Sequence, residues 1–141
     1  MLDLETRKKH TKSVIKFFKD GMYEINPNNN VNGIIILILH WVCASVPLLG
    51  LFLFKLNWKF YLSSLVWVII CALHLVHNGC IFTRIERELW ESKEWYGPWV
   101  LPFTILEKLG IEVTSRLANN IFIFWGIILV IWIIFRIVFS V

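Results

Sequence analysis

Charge is scarce in this 141-residue sequence. Charged residues make up 17% of it, against roughly 25% in ordinary soluble domains. That scarcity excludes a small domain wrapped in a solvated, charged shell. Cysteine is scarce as well. Cys43, Cys71 and Cys80 lie in or beside apolar runs, and an odd number so placed excludes the disulfide framework of a small secreted domain. The sequence has no Gly-rich phosphate loop, no G-x-S-x-G elbow and no H-E-x-x-H helix. It also lacks a Thr-Val-Gly-Tyr-Gly filter and an internal repeat of the transporter kind. The first thirty residues are charged and Asn-rich, without an early apolar core, so no cleavable signal is expected. No catalytic residue is assigned on motif grounds.

What is abundant is apolar. Hydrophobic residues reach 57%, with eight Trp, eleven Phe and three Tyr. They gather in a few long runs, which is the distribution of bilayer spans rather than of a soluble core. Rings at the ends of such runs suit the membrane–water boundary. The net charge is +4, but the cations flank the apolar runs and no separate soluble domain carries a basic stripe. Nucleic-acid binding is therefore not expected. The expected partners are the lipid bilayer, with anionic headgroups on the inner face, and a second copy or another membrane protein.

These runs predict an all-α membrane protein with three transmembrane helices plus N-terminal and mid-chain interfacial amphipathic helices. Residues 1–32 form a basic amphipathic segment and linker. Arg7, Lys8, Lys9, Lys12, Lys16 and Lys19 alternate with a partial apolar stripe, Gly21 is expected to end the helix, and Asn26-Pro27 begins the linker. Residues 33–141 form the helical membrane domain. Its spans are expected at about 33–54, 60–82 and 118–139, each near the 20 residues that a hydrocarbon core requires. Residues 83–117 are read as interfacial, with one helix running to about Trp95 and a short, proline-interrupted apolar stretch over 98–111. The third span has neither charge nor amide between Ile121 and Phe135 and should be the most lipid-exposed. Arg136 is expected to snorkel outward. Eleven of the fourteen Lys and Arg lie in 1–32 and 83–117. That bias places the N-terminus in the cytoplasm and the C-terminus on the opposite side of a multi-pass protein.

Leu39-His40, the second span, and Cys80-Ile81-Phe82-Thr83-Arg84-Ile85-Glu86 resemble a family of uncharacterised small bacterial integral membrane proteins. In that family a Cys-Pro-Leu-Thr-x-x-Glu turn follows the second span. The stretch from Leu101-Pro102 to Thr114-Ser115-Arg116 is similar to the family's approach to its last span, and the resemblance covers about 34–137. Ile81 stands where the family has proline, and His77-Asn78-Gly79 replaces an aromatic-Gly-aromatic lead-in. The resemblance implies a shared helical membrane fold and no particular activity.

Two constellations draw attention. His40, His74 and His77 are ionisable groups within spans, where such groups carry function by default. Antiparallel packing would put His40 and His74 at similar depths, about 10–12 Å from the inner end at 1.5 Å per residue. They are candidate ligands for haem or a transition metal. Alternatively they are hydrogen-bonding glue between helices or members of a proton relay. Cys71, His74, His77 and Cys80 recur every third residue, so they spiral around one helix and cannot all meet one ion. The second constellation is Cys80, Thr83 and Glu86. Thr83-x-x-Glu86 has the form of a capping box, and Cys80 beside a helix N-terminus is either a small packed hydrophobe or a reactive thiol. The functional expectation is a structural or partner-binding membrane protein. The alternatives are a His-ligated haem or metal protein and an oligomeric channel or proton pathway.

Overall fold

The computed structural model describes residues 3–92 and 97–140. It consists of helices α1 (Leu4–Ile25), α2 (Asn29–Leu53), α3 (Trp58–His77), α4 (Ile81–Leu89), α5 (Val100–Lys108) and α6 (Ser115–Phe139), with a 3-10 turn at Gly97–Trp99. No strand occurs among the described residues. Helices α2, α3 and α6 are long and apolar enough to cross a membrane. Of the three, α6 has the smallest share of its most apolar stretch buried, 22% against 28% for the other two. It is the least buried of the three over that stretch, where Ile121 to Phe135 carries neither charge nor amide.

Side-chain caps set most helix starts. The Asp3 carboxylate accepts from the Thr6 amide (2.9 Å) and hydroxyl (2.6 Å). Asn28 Oδ1 accepts from the Asn30 and Val31 amides, Asn57 caps α3, and Thr114 Oγ1 accepts from the Leu117 amide. Each satisfies donors that a helix leaves orphaned. The Asn28 cap starts the first span four residues earlier than expected. Helix α1 does not stop at Gly21. An interior glycine costs only about 1 kcal/mol, and α1 continues until Asn26 adopts extended backbone, as a residue before proline must.

The second span is shorter than expected. It ends at His77, not at 82, because Asn78 (φ 52°) and Gly79 (φ 134°) turn left-handed. The Gly79 amide then returns to the His74 carbonyl at 2.9 Å, a helix-stopping turn. The helix expected after the second span is shorter too. Helix α4 ends at Leu89 with Trp90 as its C-cap, and Trp95 lies outside the described residues.

Helices α2 and α3 form an antiparallel hairpin. A Cβ on Gly50 would stand against Ser63 Oγ and 2.8 Å from Ser63 Cβ, so the two backbones meet where both residues are small. Gly50→Ala is expected to lower stability by about 1–3 kcal/mol through overpacking. Ser63→Gly in the same chain should recover most of it. Unfolding in mixed detergent checks both, and an unrecovered double variant would mean that the contact is not the cause. Near Gly50, Leu51, Phe60, Trp67, Leu129 and Ile133 form one core; at the other end of the bundle, Ile15, Ile36, Ile85 and Leu89 form a second.

Arg136 does not snorkel outward. It is 8% exposed, its Nη1 donates to the Leu51 (2.9 Å) and Phe54 (3.0 Å) carbonyls, and its guanidinium lies 4.9 Å from the centre of the Phe60 ring. The last carbonyls of α2 lack helical partners and carry the negative end of its dipole. A cation at the end of α6 meets them with less desolvation than it would suffer unpaired in lipid. Arg7 does the same for α3, donating to the Val76 carbonyl at 2.8 Å and to that of Leu75.

Candidate functional site

Helix α4 is short, and it lies against the first half of α2. Ile85 and Leu89 are buried on its inner face with Ile36 of α2. Glu86 shares that face and is 0% exposed. A carboxylate so placed needs a partner of its own, and His40 provides it. His40 Nδ1 lies 2.9 Å from Glu86 Oε1. The other ring nitrogen, Nε2, lies 3.3 Å from Cys80 Sγ. Cys80 is the N-cap residue of α4, so one imidazole from α2 bridges two residues of α4.

The arrangement has the connectivity of a nucleophile, a base and a group that orients the base. Nδ1–H donates to the carboxylate, which aims Nε2 at the sulfur. Burial is the largest single influence on the Cys80 thiol and pushes its pKa up. The hydrogen bond from His40 and its charge, with weaker contributions from the Thr83 amide and hydroxyl, outweigh burial and hold the thiol below its ordinary value. Thiolate is the nucleophilic form of cysteine.

The site is roofed. Gly97 has φ 60°, and a Cβ there would stand 2.9 Å from His40 Cε1, 3.0 Å from Thr83 Oγ1 and 3.1 Å from Glu86 Oε2. Backbone approaches the imidazole where no larger residue fits. The Phe82 ring stands 5.4 Å from the His40 ring, centre to centre.

Thr83-x-x-Glu86 is thus not a capping box. Helix α4 begins before Thr83, which lies in its first turn, while Glu86 sits mid-helix and turns to His40. Cys80 holds the cap position but makes no capping hydrogen bond with its side chain. Nor do the three histidines converge. His74 stacks on Phe122 of α6 at 3.8 Å and 18°, and its Nε2 has no hydrogen-bond partner. His77 Nδ1 lies 2.9 Å from Thr11 Oγ1 of α1. Each imidazole serves a different helix pair, so His40 shares no ligand position with His74 or His77. Among the described residues no group of three His, Cys, Asp or Glu is placed to hold a metal ion.

The residue whose role sequence reasoning missed is Glu86. A signal was present: it lies four residues after Phe82 and one turn from Leu89, on the apolar stripe of its own helix. A carboxylate on such a stripe points to a buried partner. Comparison with protein-family models, with curated proteins and with solved structures yields no match.

Proposed function

We propose that this chain is a membrane-resident thiol enzyme in which Cys80 attacks an acyl thioester or ester borne on a lipid chain. The observation that carries the reading is the continuous line from Cys80 Sγ to His40 Nε2 (3.3 Å) and from His40 Nδ1 to Glu86 Oε1 (2.9 Å). A lipid-borne substrate suits a site built between a spanning helix and a short helix packed at the end of the bundle.

The chemistry closes on these residues. The Cys80 thiolate forms a bond to the acyl carbon while the bond from that carbon to the leaving sulfur or oxygen breaks. The leaving group takes the proton held at His40 Nε2. Water, or another acceptor, then gives a proton back to Nε2, attacks the acyl-Cys80 thioester and releases the thiolate. First-turn amides of α4, which have no main-chain partners, are the donors suited to the developing oxyanion. Glu86 touches no reacting atom and is a positioning residue. Eleven of the fourteen cations in the sequence fall in residues 1–32 and 83–117. That bias supports a cytoplasmic face for the site, where thiols stay reduced.

The test is acylation of the purified chain by a palmitoyl thioester in detergent micelles, read by intact mass and peptide mapping. A hydroxylamine-labile acyl group is expected on Cys80, absent in Cys80→Ser and formed about a hundredfold more slowly in His40→Gln. Equal acylation at Cys43 and Cys71, or no effect of His40→Gln, would overturn the reading. A second reading would then stand: the same trio acts as a buried fastener of a structural or partner-binding protein. The complete burial of Glu86 and the Gly97 roof favour that alternative.

A further inference from the structure

We infer that the groove between α1 and α4 binds the phosphate of an anionic phospholipid headgroup, at a site separate from the thiol. The groove has a volume of about 270 Å³. Lys8 and Lys12 line it from α1, and Arg84 and Arg87 from α4. The acid in its lining is Glu88, whose carboxylate pairs with Lys19 at 3.1 Å and is thereby partly neutralised. Lys8 also pairs with Glu5, outside the lining, at 2.8 Å. Arg84 donates to the Asn78 carbonyl at 2.9 Å and Arg87 to Ser115 Oγ at 3.5 Å. Four cations thus line a concavity whose one carboxylate is itself committed. Arg84 feels the crowding: burial and then the charge of Arg87 disfavour its protonated form, against a smaller opposing pull from Cys80. An anion placed between the two helices relieves that repulsion, and guanidinium forks match phosphate oxygens in pairs.

The occupant is a lipid rather than a free ion because of where the groove lies. Helix α1 leads directly into the spanning helix α2, and α4 leaves directly from the spanning helix α3. The groove therefore stands at the end of the hairpin, at the level where headgroups begin. Ile15, 5% exposed, adds an apolar residue to the lining, which suits the glycerol side of a headgroup.

The experiment titrates the full chain in an uncharged detergent with dioctanoyl phosphatidic acid, dioctanoyl phosphatidylcholine or inorganic phosphate. Bound lipid is counted by native mass spectrometry. Saturable binding of one phosphatidic acid is expected, with none of the choline lipid over the same range. Each lysine near an anionic headgroup contributes about fivefold, so Lys8→Gln with Lys12→Gln should weaken binding roughly thirtyfold. Both lysines are exposed, and an unchanged lipid-free melting temperature confirms folding. Cys80→Ser should bind like the wild type, which separates this site from the thiol chemistry. Equal binding of the choline lipid, an unaffected double variant, or displacement of phosphatidic acid by equimolar inorganic phosphate would overturn the inference.

Discussion

His40→Ala is expected to slow alkylation of Cys80 by iodoacetamide at pH 7 by tenfold or more. The comparison is made in a Cys43→Ala, Cys71→Ala background, so that only one thiol reports. In the intact site His40 outweighs burial and keeps the thiol below its ordinary value. Without the imidazole, burial acts alone and moves the thiol upward, away from neutrality. Each unit of that movement is a tenfold loss of thiolate in the range where the thiol predominates. The pH profile gives the sign. With His40 present the rate levels off at a lower pH than for an ordinary thiol and declines as pH falls through that lowered range. With alanine there, the rate keeps rising tenfold per pH unit through neutrality and beyond pH 8.5. Superimposable profiles would mean that Cys80 and His40 do not share a proton.

Glu86→Ala should produce the largest stability loss of any single substitution considered, about 3–5 kcal/mol, as for a buried pair stripped of one partner. The carboxylate is fully enclosed, so its removal leaves the His40 Nδ1–H without an acceptor and a void against Ile85 and Leu89. Glu86→Gln keeps shape and an acceptor oxygen and should lose only about 1–2 kcal/mol. Surface pairs give the contrast. Lys8 and Glu5 lie 2.8 Å apart with side chains 56% and 80% exposed, and breaking that solvent-screened pair should leave the unfolding midpoint unchanged. Unfolding in mixed detergent ranks all three. A Glu86→Ala value as small as that of Glu5→Ala would show that the carboxylate is not paired in the folded protein.

The three crossings were legible because long apolar runs report a property of one segment at a time, its transfer from water to hydrocarbon. Where segments end was less legible. The apolar run of the second span continues through Ile81 and Phe82, and only Asn78-Gly79, able to turn left-handed, interrupts it. Arg136 was misread because its partners are main-chain carbonyls contributed some eighty residues earlier, which no local pattern displays. Residue spacing set the height of His40 and His74 along the helix axes. It was silent on rotation about them, and rotation is what sends one ring to α4 and the other to α6. For Cys80 and Glu86 the residues were in view, but their spacing also fits a local cap. Only the docking of α4 on α2 separates a cap from a constellation spanning forty-six positions.

The Arg136 clasp bears on the order in which the molecule is assembled. Ribosomal synthesis delivers the α2–α3 hairpin to the membrane before α6 exists, so the carbonyls at the end of α2 wait there unpaired. The last helix arrives with a guanidinium that lipid opposes until those carbonyls receive it. Docking of the final segment therefore depends on a hairpin that already presents the Leu51 and Phe54 carbonyls together.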